Sequence, residues 1–372
     1  MDLIKMTEYL DSLIARGIPS VDCVIYREHE MIYRHMKGTI DDRQMEAIQG
    51  DEFFLMFSMT KVHTMTAVMQ LVEKGELSLE DEVSKYLPAY SNLTVERNGK
   101  IESLTTPLKV KHLLSMQSGL DYDLDRPGIK RVLKEKGTSA TTREIIDAFT
   151  ESPLRFAPGE HYLYSLSHDV AAAIVEVISD MSFGDYLRKH IWEPLHMKKT
   201  FFAKPINHLK KLAVQYTCNE QGEIVPMESS CNYQLSENYE SGGAGLISCT
   251  EDYAIFADAL ASGGISKDGH RLLKQETIEL MKQNLLSETS LQDFSNRGYT
   301  GYGYGCGIQV LMDPDRLNSP APEGIFGWSG AAGSYVIMDT KSKLSLVYIQ
   351  HVRKLHFAYA EIHPRLRDLL YE

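Results

Sequence analysis

The chain has 372 residues, 43% of them hydrophobic and 24% charged, and a formal net charge of −12. That length accommodates a large core and two lobes or domains, and the composition is that of a globular protein. The excess of acid argues against nucleic acid or an anionic membrane surface as a partner.

In the first residues, Leu3, Met6, Leu10 and Leu13 form an amphipathic stripe that Gly17 and Pro19 end, which predicts a helix. This opening lacks a signal-peptide core, and no later run has the apolar length of a membrane span, so a cytoplasmic protein is expected. Residues 21–26 and 31–36 read as two strands. Residues 53–57 (Phe-Phe-Leu-Met-Phe) read as a third strand arriving at Ser58. A helix then leaves: Val62, Met65, Val68, Met69 and Val72 recur three and four apart, and Gly75 stops the run. It is apolar on more than one side, so a central, buried helix is expected.

Beyond Gly75 the pattern changes. Residues 76–87 are charged with regularly placed leucines, and 89–107 read as loop. Residues 121–160 are polar, with Pro127, Gly128, Pro153, Pro158 and Gly159. Residues 170–178 form a strongly apolar helix with a close-packing face at Ala171, Ala172 and Ala173, and 183–192 form another, stopped by Pro194. A glycine-rich turn occupies 241–246. Thr250 is placed to cap a helix through Leu260 that Gly263 and Gly264 end. Residues 298–310 alternate glycine with aromatics without the G-x-G-x-x-G spacing, which fits a strand whose backbone lies close to something better than a dinucleotide site. Residues 334–338 and 344–350 are strands about a turn at 339–343, and 356–371 is helical.

Strands at both ends with helices between predict an α/β (α+β) protein. An antiparallel sheet from residues 1–77 and 239–372 is expected, flanked by helices, with a mostly helical lobe over 78–238. The five cysteines (Cys23, Cys218, Cys231, Cys249 and Cys306) are odd in number and scattered. Free thiols, no metal centre and no cofactor are expected; Cys249 and Cys306 read as small core residues.

Ser58 and Lys61 stand three apart at the start of a helix, so their side chains share a face. One reading is an N-cap serine with a solvated lysine. The other is a nucleophile beside its base: a lysine that loses its proton can take one from the serine hydroxyl. Two further short motifs follow, Pro158-Gly159-Glu160-His161-Tyr162-Leu163-Tyr164-Ser165-Leu166 and Gly327-Trp328-Ser329-Gly330.

With these three motifs the chain resembles the serine β-lactamase and penicillin-binding-protein superfamily. It is most similar to the branch of class C β-lactamases, D-alanyl-D-alanine carboxypeptidases and family VIII carboxylesterases. The likeness runs over nearly the whole chain. It includes Glu73-Lys74-Gly75-Glu76-Leu77-Ser78-Leu79-Glu80-Asp81, Lys111-His112-Leu113-Leu114-Ser115-Met116-Gln117-Ser118-Gly119-Leu120, Pro194-Leu195-His196-Met197, Gly242-Gly243-Ala244-Gly245-Leu246 and Tyr302-Gly303-Tyr304-Gly305, in family order. The resemblance implies a β-lactamase/transpeptidase-like fold with the site between two lobes. It implies that Ser58 is the acylated nucleophile, that Lys61 and Tyr164 share the proton work, and that the backbone amides of Ser58 and Ala331 form the oxyanion hole. It places Trp328, Ser329, Gly330, Leu166 and Gly243 at the substrate. Close cationic and phenolic groups are expected to depress one another's pKa values, with burial lowering the lysine further.

Two departures bear on the substrate. Leu166 stands where lactamases carry an asparagine, and Trp328 stands where they carry a lysine or histidine. Losing both removes hydrogen bonds that a β-lactam or a peptide carboxylate would use. The expected substrate is a small carboxylic ester; amide hydrolysis of the β-lactamase, D-alanyl-D-alanine carboxypeptidase or D-aminopeptidase type is the alternative, and a non-catalytic binding module on the same fold is a third. A rival nucleophile is Ser329, since Gly327-Trp328-Ser329-Gly330-Ala331 lies one residue from G-x-S-x-G, with Asp339 and several later histidines as partners. That elbow needs a strand before the serine and a helix after it, and a strand pair is read here instead. His112 and His168 lie near the motifs and read as structural histidines.

Overall fold

Strand β1 (Ser20–Arg27) is buried at six successive residues, Ser20 through Ile25, because it lies inside a sheet covered on both faces. In this computed structural model, which describes residues 1–43, 45–202, 209, 211–228 and 233–372, the sheet has seven strands. After β1 come β2 (Glu30–Gly38), β3 (Tyr302–Tyr304), β4 (Gln309–Leu311), β5 (Phe326–Ser329), β6 (Tyr335–Asp339) and β7 (Leu344–Ile349). Their spatial order is β2-β1-β7-β6-β5-β4-β3, with every neighbouring pair antiparallel. The chain's beginning and end thus share one sheet, Val24 pairing with Val347.

The period of two sorts the side chains to two faces. On one face Val21, Cys23, Ile25, Leu346 and Tyr348 pack with Met6, Leu10 and Leu13 of helix α1 (Leu3–Ala15). On the other, Val24, Val336 and Val347 join a larger core. That core includes α2 (Thr60–Glu73), α3 (Ser167–Ser179) and α4 (Thr250–Ala261). The tail helix α5 (His363–Tyr371) returns to the first face through Leu366, Leu369 and Leu370. Helix α2 is buried from Thr60 through Leu71, as its all-round apolar pattern requires. Among the described residues no helix is long and apolar enough to cross a membrane.

Several local expectations change. The apolar run at 53–57 yields only a two-residue strand, Phe54–Leu55, paired with Ile247–Ser248 outside the main sheet, because the backbone turns at Phe57 (φ +48°). Residues 89–107 contain a hairpin, Thr94–Arg97 with Lys100–Ser103. Asn98 and Gly99 turn it with positive φ (+51° and +74°), the Asn-Gly signal of a tight hairpin. Helix α4 is capped by Cys249, not Thr250: the Cys249 Sγ accepts the Asp252 N–H at 3.5 Å. The polar segment 121–160 holds two helices, Pro127–Lys136 and Thr142–Ala148.

The glycines of 298–310 do bring backbone close to other atoms. A Cβ on Gly303 would lie 2.3 Å from Met312 Sδ, one on Gly305 would lie 2.0 Å from the Met281 carbonyl oxygen, and one on Gly307 would lie 2.3 Å from Met65 Cγ. Cys23, Cys249 and Cys306 are buried free thiols and Cys218 is a half-buried one; Cys231 lies outside the described residues.

Candidate active site

Ser58 sits in a short 3-10 turn, Phe57–Met59, at the foot of α2. The residue before it, Phe57, holds a left-handed backbone (φ +48°), a conformation that costs a non-glycine residue about 1–3 kcal/mol and persists only where its surroundings enforce it. The enforcement is visible. The Phe57 ring is buried with Leu55, Ile247 and Ala332. Thr60 Oγ1 donates to the Phe57 carbonyl at 2.6 Å and accepts the Leu246 N–H at 3.0 Å. Tyr253 donates its hydroxyl to the Met59 carbonyl at 2.8 Å. The glycine-rich turn and α4 therefore both grip the turn that carries the serine.

Lys61 is wholly buried. Its Nζ donates to Ser58 Oγ at 3.3 Å, to the Tyr122 hydroxyl at 3.2 Å and to the Gly243 carbonyl at 2.7 Å. Three acceptors suit an ammonium, but burial opposes its charge and brings its pKa down to about 7, against an upward pull from Asp169. Asp169 is buried in the first turn of α3 and accepts hydrogen bonds from Tyr239 at 2.8 Å and Ser241 at 2.6 Å. Burial raises its pKa, and Ser241, the Lys61 charge, Tyr239 and the Gly243 amide pull it back.

Tyr164 turns its ring, not its hydroxyl, toward Lys61: Nζ lies 4.6 Å from the ring centroid. The hydroxyl accepts the indole N–H of Trp328 at 3.1 Å. The Tyr164 ring stacks on Tyr122 at 5.5 Å and packs against Trp328 at 5.7 Å. The expected depression of the tyrosine's pKa does not occur. Burial raises it, and the interactions with Ser58 and Trp328 only partly offset that rise. The lysine follows the expectation and the phenol does not, because burial favours the neutral form of each.

Ser58, Tyr164, Trp328, Ser329, Gly330 and Ala331 line one cleft of about 200 Å³, together with Tyr162, Arg297, Tyr299 and Tyr359. The Ala331 amide has no acceptor among the described residues. Gly330 lets the end of β5 approach the serine turn: a Cβ there would lie 2.5 Å from the Met56 carbonyl oxygen. Leu166 and Gly243 do not line the cleft. Leu166 is buried at the start of α3, its amide donating to the Asp121 carbonyl at 3.2 Å. Gly243 stands behind Lys61, and a Cβ there would lie 2.6 Å from Asp169 Oδ2.

Ser329 ends β5, and the chain continues into the antiparallel strand β6, so the strand–serine–helix elbow is absent at this serine. His112 accepts the Lys109 N–H at 3.2 Å as part of a local cap. His168 is buried with its Nε2 3.4 Å from the Leu114 carbonyl. Tyr122 and Asp169 escaped sequence reasoning. Tyr122 sits in an aperiodic polar segment. Asp169 reads as an acid favoured by a helix N-terminus, although an acid directly before a fully apolar run was a readable sign of a buried charge.

The chain belongs to the beta-lactamase family, whose model matches residues 6–370. It is 29% identical over 317 residues to Protein Rv1367c of Mycobacterium tuberculosis, covering 82% of this chain and 79% of that one. It is 27% identical over 359 residues to Esterase EstB of Burkholderia gladioli, covering 91% and 87%. Its fold matches the structure of EstCE1, described as a hydrolase with promiscuous acyltransferase activity, with a TM-score of 0.80 at 23% identity over 100% of this chain and 98% of that one. The antiparallel sheet with helices on both faces is thus the β-lactamase/transpeptidase-like fold.

Proposed function

We propose that this protein is a serine hydrolase that cleaves carboxylic esters through an acyl-enzyme on Ser58. The observation that carries the reading is Lys61: wholly buried, within hydrogen-bond reach of Ser58 Oγ, and with its pKa brought down to about 7. A neutral amine is then available near physiological pH to take the serine proton. Ser58 Oγ attacks the ester carbonyl carbon, and the developing oxyanion meets the amides of Ser58 and Ala331. Collapse expels the alkoxide, which takes its proton from a phenol beside Ser58, Tyr122 or Tyr164, and the Lys61 ammonium, which holds the proton taken from the serine, returns it to the phenolate. Water, activated by the same amine, releases the acid.

The residues at two motif positions support an ester as the substrate. Trp328 offers a neutral N–H, already given to Tyr164, where a lactamase has a cation, and Leu166 is buried where a lactamase has an amide. An ester asks for neither group. The likeness to Esterase EstB supports this choice. A second reading is acyl transfer to an organic alcohol in place of water. Tyr162, Tyr164, Tyr299, Tyr359 and Trp328 make the cleft largely aromatic, which suits such an acceptor, and EstCE1 is described as having that side activity.

The test is turnover of p-nitrophenyl butyrate by wild type, Ser58→Ala and Ser329→Ala. Loss of turnover in Ser58→Ala with most of it retained in Ser329→Ala supports the reading; the reverse pattern overturns it. A chromogenic cephalosporin hydrolysed faster than any ester would move the assignment to β-lactam chemistry. Failure of a fluorophosphonate to label Ser58 would move it to a binding module.

A further inference from the structure

The nucleophile cleft has a larger neighbour. A second cavity of about 670 Å³ shares Arg297, Tyr299, Ser329 and Tyr359 with it. That volume is ample for an organic group. We propose that this adjacent cavity binds a carboxylate on the part of the substrate remote from the reacting carbonyl, with Arg297 as its partner. The proposal rests on the esterase reading above and narrows its substrates to anionic esters.

Charge is the first ground. The chain carries 51 acidic and 39 basic residues, yet no aspartate or glutamate lines either cavity, while Arg297 and Arg367 both line the larger one. The second ground is that the two arginines differ in availability. Arg367 is buried and committed, donating to Tyr302 at 2.8 Å and to Asp368 at 2.8 Å. Arg297 has no ion pair or hydrogen-bond partner among the described residues, and it is exposed at the junction where both cavities meet. Its charge is felt in the cleft, where it pulls down, by a minor share, the Tyr164 and Tyr299 pKa values that burial raises.

The third ground is how Arg297 is placed. It lies in a turn, Ser295–Tyr299, that breaks at Gly298 (φ +95°), and both neighbours of that glycine line the cleft. A planar guanidinium beside a tyrosine ring suits a carboxylate joined to an apolar body. Trp328 has removed the family's cation from the β5 side of the serine. The guanidinium supplies positive charge from the turn Ser295–Tyr299, whose Tyr299 stacks on Trp328, on the side that the second cavity shares.

Two ester pairs test this. One compares mono-p-nitrophenyl glutarate with p-nitrophenyl valerate, which places the charge on the acyl side. The other compares 3-carboxyphenyl butyrate with phenyl butyrate, which places it on the alcohol side. The quantity read is the anionic-to-neutral ratio of kcat/KM in wild type, Arg297→Gln and Arg297→Lys, so a general loss shared by both esters cancels. In one pair the ratio should fall roughly tenfold in Arg297→Gln, as loss of one charged hydrogen bond gives, and Arg297→Lys should restore part of it. Ratios within twofold of wild type in both pairs overturn the proposal, and the pair that responds tells which side of the ester the cavity takes.

A binding measurement separates this from the esterase reading. Titration with 4-phenylbutyrate and with 4-phenylbutyramide, followed by tryptophan fluorescence, reads the subsite without turnover. Tighter binding of the carboxylate that disappears in Arg297→Gln supports the site even if no ester is cleaved, in which case the esterase reading alone fails. Binding of the amide as tight as that of the carboxylate in wild type overturns the site whatever the ester rates.

Discussion

Trp328 donates its indole N–H to the Tyr164 hydroxyl at 3.1 Å. At the strand position where lactamases present a cation, this chain presents a neutral donor already spent on the phenol. A neutral donor stabilises a phenolate less than an ammonium would, and burial raises the Tyr164 pKa further. Tyr164 therefore holds its proton at neutral pH, and Lys61, with its pKa near 7, is the group that changes state. In the proposed mechanism the lysine starts the proton path, and the phenol, oriented by Trp328, donates. Trp328→Phe keeps an aromatic ring in place and removes the N–H, together with part of the indole's packing volume against Tyr164, Tyr299 and Tyr304. It should lower kcat/KM for p-nitrophenyl butyrate about tenfold, the scale of one hydrogen bond in the barrier. A value within twofold of wild type would exclude the indole N–H from the proton path.

The pH dependence follows from Lys61. Only its neutral amine accepts the serine proton, so kcat/KM should rise with pH through an inflection near 7 and fall about tenfold per unit below it. Asp169 pulls the lysine's pKa upward. Neutralising that carboxylate in Asp169→Asn should move the acid limb to lower pH, provided circular dichroism shows the fold intact. A limb that moves to higher pH, or stays fixed, would contradict the assignment of Lys61 as the titrating base.

The two phenols should separate in kinetics. Tyr122 bonds Lys61 directly at 3.2 Å, whereas Tyr164 meets Lys61 through its ring face and presents its hydroxyl to Trp328. Tyr122→Phe removes one of three acceptors around the buried amine, which disfavours the ammonium. It should shift the acid limb of the pH profile downward with only a several-fold loss of plateau rate. Tyr164→Phe removes the proposed proton donor and should cost about 10²–10⁴ in kcat, with little shift of the limb. Steady-state rates across pH 5–9 distinguish the two; equal losses with equal shifts would mean that the phenols act as one unit.

Much of this site was legible because its parts are marked by spacing. Ser58 and Lys61 stand three apart at the foot of a helix whose all-round apolar pattern marks it as buried, and β1, β6 and β7 carry mostly apolar runs. What escaped depends on the third dimension. Tyr122 comes from a polar segment with no period, and the packing of Tyr164 and Tyr233 against it holds its hydroxyl at Lys61. The left-handed Phe57 is invisible in an apolar run that local pattern reads as strand, since the enforcing contacts come from Thr60, Leu246 and Tyr253. Leu166 and Gly243 were placed at the substrate by motif position. The structure sets Leu166 in the core and Gly243 behind Lys61. The hairpin at 94–103 was readable from Asn98-Gly99, and the polar flanks obscured it.

Gly330 joins stability to chemistry. It follows β5, and its missing side chain lets that strand end sit against the turn that precedes Ser58. A Cβ at this position would lie 2.3 Å from Ser334 Oγ and 2.5 Å from the Met56 carbonyl oxygen. The serine hydroxyl could rotate away, but the carbonyl belongs to the backbone that leads into Phe57 and cannot yield without moving Ser58. Gly330→Ala should therefore push Ala331 and Ser58 apart. Overpacking of this kind costs about 1–3 kcal/mol, read as a fall in Tm of a few degrees. The oxyanion pair would lose alignment, and a displacement of about 1 Å at a reacting centre can cost on the order of 10² in rate. The expected result is a folded protein with kcat reduced about a hundredfold and KM changed far less, since the aromatic walls of the cleft remain. Wild-type kcat in a variant whose Tm has dropped would show that the close approach serves packing alone, and would remove the Ala331 amide from the proposed oxyanion hole.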